Sequence, residues 1–260
     1  MSSPSYVITS RANSSVKQLR AAFAGQARLA SGMVAIEGDH LLEEALRSGQ
    51  VLKTIFVSER RPVPDSVPRG VEVLRLANDV FRSCVETQSP QGIAALLVPP
   101  VGQLASMLRG TPLLLIAVGL QDPGNLGTLI RSAEAFGASG VLTSPGGVSP
   151  WNQKAIRASA GSVFRLPLAV LAPEDVQTLR EHRIQLLAAM PADAISIEAA
   201  DLSLPTALLI GNEGAGLDDE WLALASGRVT IPCPGRVESL NAAVAGSLLL
   251  YEASRQRRKS

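Results

Sequence analysis

"LLLIAVGLQDPGNLGTLIRSAEAFG", residues 113–137, decides the fold. Leu113 to Val118 run apolar without alternation, as a strand buried on both faces of a parallel sheet must. The pattern then changes. Asn125 stands where it can cap a helix, and small and apolar residues follow at helical spacing. Arg131 comes nearly two turns into that helix. The plain reading is a helix that buries Leu129, Ile130, Ala133 and Phe136 and turns Arg131 to solvent. The other is a cation held for a ligand, and spacing leaves both open.

The same rhythm continues towards the C-terminus. Strand patterns at 140–144, 164–170, 184–190, 206–211 and 228–232 are separated by helical ones at 150–161, 173–183 and 217–225, and a final helix follows. Alternation of this kind predicts an α/β fold, a doubly wound parallel sheet with helices on both faces. Towards the N-terminus the elements are shorter. A helix starts after Asn13 as its cap, and a second starts at Asp39 as its cap and stops at Gly49. Strands are expected at 33–38, 52–58, 71–76 and 92–98, with a helix at 78–86 before the last. Pro and Gly gather in "PPVGQLASMLRGTP", 99–112, which reads as a linker with a short helix. The expected layout is therefore a small α/β domain over 1–98, a linker over 99–112 and a larger domain over 113–260.

Composition narrows the class. Of the 260 residues 46% are hydrophobic but 3% aromatic, so the core is aliphatic, as α/β architecture prefers. A net charge of +1 gives no global sign of nucleic acid. Local charge gives more: Arg11, Lys17, Arg20 and Arg28 precede the first acid, Glu37, and Arg255, Arg257, Arg258 and Lys259 crowd the tail against Glu252. These ends either touch phosphate or are solvated termini. Cys84 and Cys233 match no metal spacing and imply no disulfide framework, so a reducing cytoplasm is expected, and no metal. The first residues lack a signal-peptide core, and no apolar run nears the ~20 residues of a membrane span.

Three polar loops follow strands of the second half, where open α/β sheets bind ligands. The first is "GLQDPGNLGTLIRSAEAFG", 119–137, whose glycines do not fit the dinucleotide fingerprint and which lacks the lysine a phosphate loop requires. The second, "LLIGNEGAGLDDE", 208–220, runs an apolar strand into Gly211, Asn212, Glu213, Gly214 and Gly216, and glycine at a strand end permits close backbone approach. A tight turn with Glu213 exposed explains it equally well. The third, "IPCPGRVESLN", 231–241, leads into an apolar helix. Glu238 or Ser239 can cap that helix, which leaves Asn241 inside a first turn that it does not favour. His40 and His182 have no partners at ligand spacing, and Trp151 and Trp221 read as packing residues.

Taken together, "NLGTLIRSAEAFG", "LLIGNEGAGL" and "IPCPGRVESLNAAVAGSLLLYE" resemble, in order, the three signature motifs of the SpoU (TrmH-like) RNA ribose 2′-O-methyltransferases of the SPOUT superfamily. "KAIRASAGSVFRLP" between them is similar too. "VAIEGDHLLEEAL" and "SPQGIAAL" resemble the ribosomal-protein-like domain with which many members bind RNA. The resemblance implies a parallel α/β sheet with a C-terminal deep trefoil knot, S-adenosylmethionine as cofactor, a homodimer and RNA as substrate, ribosomal more than transfer. It places Asn125, Arg131, Glu213, Ser239 and Asn241 in the active site, and backbone groups of Gly211, Ile231 and Leu240 on the cofactor. It also lends weight to Arg60 and Arg61 as RNA contacts, and to Leu240, Val244, Leu248 and Tyr251 as a dimer stripe, unless that stripe packs on the sheet. Two other readings stay open at this level: an RNA-binding module without catalysis, and a nucleotide-dependent oxidoreductase.

Overall fold

The computed structural model describes residues 6–25, 32–237 and 239–258. Arg28, Glu238 and Lys259, named above, lie outside them. The chain divides into two compact units, Met1–Pro100 and Val101–Ser260.

The first unit holds β1 (Val7–Ile8), α1 (Ser14–Phe23), β2 (Val34–Glu37), α2 (Asp39–Arg47), β3 (Leu52–Ser58), β4 (Glu72–Leu76), α3 (Asn78–Arg82) and β5 (Ile93–Leu97). Its sheet has the order β1-β4-β3-β5-β2 and is mixed, with β5 antiparallel to both neighbours. Asn13 caps α1 as its position predicts, accepting from Ser15 N at 2.9 Å. Asp39 does not cap α2. It is the first helical residue, after a cap at Gly38 with φ 95°, and its carboxylate is drawn aside by Arg61. The helix expected over 78–86 ends at Arg82, and Phe81 and Cys84 are buried against α1 residues Val16, Leu19 and Phe23.

The second unit holds α4 (Leu104–Met107), β6 (Leu113–Ala117), α5 (Pro123–Ala135), β7 (Gly140–Thr143), α6 (Gln153–Ser159), β8 (Leu168–Val170), α7 (Val176–Glu181), β9 (Gln185–Ala189), β10 (Ile195–Ser196), β11 (Thr206–Ile210), α8 (Asp219–Leu224), β12 (Gly227–Thr230) and α9 (Ala242–Arg257). The seven strands lie in the order β10-β12-β9-β11-β6-β7-β8, and every pairing is parallel. Leu113, Leu114, Leu115 and Ile116 are each at most 1% exposed, which is why β6 carries no alternation. This unit takes in most of the stretch expected as a linker. Met107 and Leu108 are buried in its core, and Gly102 N donates to Leu168 O.

Helices cover both faces of this sheet. On one, Met107, Val176, Leu179 and Trp221 pack with Leu114, Ile116, Leu186 and Leu209. On the other lie α5, α6 and α9. A Cβ on Gly246 of α9 would stand 2.4 Å from a methyl of Leu129 and 3.3 Å from Ile210, so glycine sets that close approach. Gly127 of α5 likewise admits Ala155 and Ala158 of α6.

Two cations of the basic tail, Arg255 and Arg257, have partners within the fold. Arg255 pairs with Glu252. Arg257 donates to the main-chain oxygens of Thr111, Pro112, Leu202 and Leu204, and burial lowers its pKa. Nor does the stripe Val244, Leu248, Tyr251 pack on the sheet. All three are exposed, while Ala243, Gly246, Leu249, Leu250 and Ala253 form the buried face of α9.

Candidate active site

β6 and β11 are neighbours, and the connections leaving them diverge. The chain after β6 passes through α5 to β7 on one side, and the chain after β11 passes through α8 to β12 on the other, over opposite faces. Such a topological switch point opens a crevice at the carboxyl ends of the strands. The loops at 118–122 and 211–217 lie across it and are stitched together. Val118 N donates to Ile210 O at 2.8 Å, and Asn212 Nδ2 donates to Gly119 O at 2.8 Å. Asn212 also folds its own loop: Oδ1 accepts from Gly214 N and Ala215 N, and its main chain pairs in both directions with Gly216.

Gly211 needs no ligand to explain it. A Cβ there would lie 2.3 Å from the carbonyl carbon of Gly216 and 2.5 Å from Leu217 N. The loop doubles back over the strand end, and only glycine leaves room for it.

Glu213 turns from this loop to the start of α5. Oε1 accepts from Asn125 Nδ2 at 2.8 Å and from Asp122 N at 3.2 Å, and Oε2 accepts from Gln121 N at 3.4 Å. Asn125 passes the connection on, since its Oδ1 accepts from Asn241 Nδ2 at 3.2 Å. Asn241 Oδ1 in turn accepts from Ala243 N and Val244 N at 2.9 and 3.2 Å. One hydrogen-bonded chain therefore joins all three polar loops. Burial works against the charge on Glu213, but the Asn125 amide and the main-chain N–H groups outweigh it and hold the carboxyl below its usual range.

Two capping expectations are corrected here. Asp122, not Asn125, caps α5, accepting from Gly124 N at 2.6 Å. Pro123 at the first helical position moves the helix start ahead of Asn125 and frees the Asn125 amide. Lys154 pairs with Asp122 at 3.0 Å, and that hydrogen bond and the Gly124 N–H lower the pKa of Asp122. At the other loop, Asn241 itself caps α9, which starts at Ala242, so neither Ser239 nor the first turn is involved. One asparagine thus caps a helix with its oxygen and reaches the site with its nitrogen.

Not every expected residue joins the chain. Ser239 is exposed and outside it. Arg131 lies on the exposed stripe of α5 and, among the described residues, forms no hydrogen bond or ion pair. The neighbouring Ser132 is the residue that faces α9, through a 2.7 Å hydroxyl contact with Ser247. Ile231 and Leu240 are half-buried. With Gly211, they make no main-chain hydrogen bond outside the ladders among the described residues. The sequence reading gave Asn212 no role in its loop and missed the amides of Gln121 and Asp122. The "GNEG" stretch held the signal for the first, because asparagine between glycines favours self-bonded turns.

A parallel α/β domain with joined polar loops at its switch point defines a class that binds a nucleotide-like ligand there. Residues 112–251 match the SpoU rRNA Methylase family, and residues 13–95 match the MRM3-like substrate binding domain. The chain belongs to the SpoU rRNA methylase family. It is 34% identical over 245 residues to the 23S rRNA (guanosine(2553)-2′-O)-methyltransferase RlmP of Bacillus subtilis, covering 94% of this chain and 97% of that one. The SpoU methyltransferase AviRb of Streptomyces viridochromogenes, crystallised with AdoMet, superposes with a TM-score of 0.87 at 30% identity, over 95% of this chain and 99% of that one. An AdoMet-bound rRNA methyltransferase of Sinorhizobium meliloti gives 0.86 at 31% identity, over 96% and 97%. The oxidoreductase reading is thereby set aside.

Proposed function

We propose that this chain is an S-adenosylmethionine-dependent methyltransferase acting on a ribose 2′-hydroxyl of ribosomal RNA. The observation that carries the reading is the chain Glu213–Asn125–Asn241, which ties the three motif loops together at one strand edge.

Main-chain groups of Gly211, Ile231 and Leu240 would hold the cofactor, which supplies a methyl group already activated on sulfonium. The protein's own work is alignment and management of the hydroxyl proton. Glu213 holds the start of α5 at the crevice, and Asn241 fixes Asn125 beside it. Arg131, exposed and uncommitted, binds the phosphate next to the target ribose and orients the 2′-hydroxyl, a task suited to a guanidinium that keeps its charge. Ser239 contacts the ribose side.

The remaining expectations belong to the same proposal. Residues 13–95 dock the RNA. The C-terminal segment threads through a loop to form the deep trefoil knot that the family resemblance implies. Two copies associate through α5 and α9, where Val244, Leu248 and Tyr251 stand exposed on a helix whose other face is buried. Both cysteines are free, which suits the cytoplasm. The test is transfer of labelled methyl from S-adenosylmethionine to ribosomal RNA, with the product located as a 2′-O-methyl nucleotide. Absence of transfer to any ribosomal or transfer RNA refutes the function. A monomer in sedimentation refutes the dimer.

A further inference from the structure

The first unit carries a polar cleft of about 430 Å³, lined by Arg82, Thr87, Gln88, Ser89 and Pro90. The loop that forms it is pinned at both ends. Thr87 Oγ1 donates to Glu37 Oε2 at 2.6 Å, and Gln91 N donates to Glu37 Oε1 at 3.2 Å. Gln91 is held again from two sides: its Oε1 accepts from Asp39 N at 3.1 Å, and its main-chain oxygen accepts from Arg61 Nη1 at 2.6 Å. Gly38 allows this closeness, since a Cβ there would stand 2.8 Å from Gln91 Oε1. Arg61, paired with Asp39, is thus a fastener of the loop.

Between the pinned ends, Gln88 and Ser89 are exposed. Arg82 is exposed beside them and, among the described residues, has no acidic partner. Arg20 adds charge nearby, holding Ser83 through its main-chain oxygen at 3.3 Å and its hydroxyl at 3.1 Å. A loop ordered before binding loses little entropy on binding. The lining has no aromatic ring on which a base can stack and little apolar surface for a protein partner.

We propose that this cleft binds the sugar–phosphate backbone of the RNA substrate, with Arg82 on a phosphate and Gln88 and Ser89 on neighbouring oxygens. The inference rests on the RNA-methylating function proposed above and adds where the RNA is gripped. Contacts of this kind position RNA without reading its sequence.

The test uses the full chain and short fluorescent oligo(U) and oligo(A). Arg82→Ala is expected to weaken both by a similar factor, roughly 5-fold, and to lower the salt slope of binding by about 0.7, the release from one single-strand phosphate contact. Thr87→Val, which frees one end of the loop, should weaken binding with the slope unchanged, so Thr87 is a positioning residue. Arg82→Ala should also raise KM for ribosomal RNA, leaving kcat and S-adenosylmethionine affinity as they are. Unchanged oligonucleotide affinity and slope in Arg82→Ala overturn the cleft, as does wild-type protein that binds neither oligonucleotide. If methyl transfer persists in either case, the proposed function stands without the cleft. If the variants weaken binding as expected but no RNA is ever methylated, the cleft stands and the function falls.

Discussion

Asn241 donates to Asn125 across 116 residues of chain, at 3.2 Å. The same side chain caps α9, so the entrance of the last helix and the start of the first motif helix are fixed by one amide. Removing it has two separable consequences. Asn241→Ala loses the cap, worth about 1 kcal/mol, as well as the link to Asn125. Asn241→Ser retains a capping oxygen but cannot reach Asn125. Methyl transfer is expected to fall by at least roughly tenfold in both variants, while the thermal midpoint falls by about 2–4 °C in the alanine variant and by less in the serine variant. Equal activity of wild type and Asn241→Ser would remove Asn125 and Asn241 from the mechanism.

Glu213 gives a pH signature. Its carboxyl titrates below the usual range because hydrogen bonds to the charged form outweigh burial. A depressed pKa stabilises the fold fully above the unfolded value, about 4.3, and that contribution is lost as pH falls through the lower folded value. Asp122, Glu134 and Asp201 are lowered as well, so the wild type loses stability in acid for several reasons. Glu213→Gln should therefore be less stable than wild type at neutral pH, and the gap should close below about pH 4. Melting curves from pH 7 downward measure it. A gap that stays constant with pH would mean that the charge on Glu213 is not what holds the loops.

How much of this was legible in the sequence depended on whether the cause was local. The unbroken apolar run of β6 announced a parallel sheet because two-sided burial removes alternation. Asn13 was readable as a cap because its partner is two residues away. Asn125 and Asn241 were misassigned as to helix position, since the α5 start at Pro123 and the α9 start at Ala242 depend on chain outside the helical pattern. The role of Asn212 depends on Gly119, 93 residues distant, and the partners of Arg61 were illegible because Asp39 and Gln91 meet it only in the fold. The two shortest strands, β1 and β10, owe their pairing to neighbours and leave no periodic trace.

Arg131 should behave as a functional residue with no structural duty. It is exposed and uncommitted, so Arg131→Ala should change stability by no more than about 0.5 kcal/mol. The same variant should lose methyl transfer by roughly 10²-fold or more if it orients the nucleophile, with S-adenosylmethionine binding intact. Arg131→Lys, which keeps charge but not the planar fork, should recover only part of the rate. Calorimetry with the cofactor and single-turnover assays on ribosomal RNA separate these effects. Normal turnover in Arg131→Ala would assign the residue to solvent.

Arg257 is the converse case, structural and remote from the chemistry. Thr111 and Pro112 precede β6, so this guanidinium binds carbonyls at the edge opposite the crevice. It also holds the oxygens of Leu202 and Leu204, just before β11. No carboxylate shares the site among the described contacts, and burial alone lowers its pKa, so four carbonyl dipoles solvate the charge. Lysine offers one ammonium where a planar fork spans four acceptors. Hydrogen bonds from a charged donor are worth about 1.5–3 kcal/mol each when a partner is left unsatisfied, though water will replace some of them here. Arg257→Lys should therefore cost about 2 kcal/mol and Arg257→Ala more, measured by denaturant unfolding. Cofactor affinity of the folded fraction should not move, because the loops that form the site are anchored from the other end of the strands. Loss of cofactor binding in a well-folded Arg257→Lys would show that the C-terminal clamp and the crevice are coupled through α9, the helix whose entrance Asn241 holds.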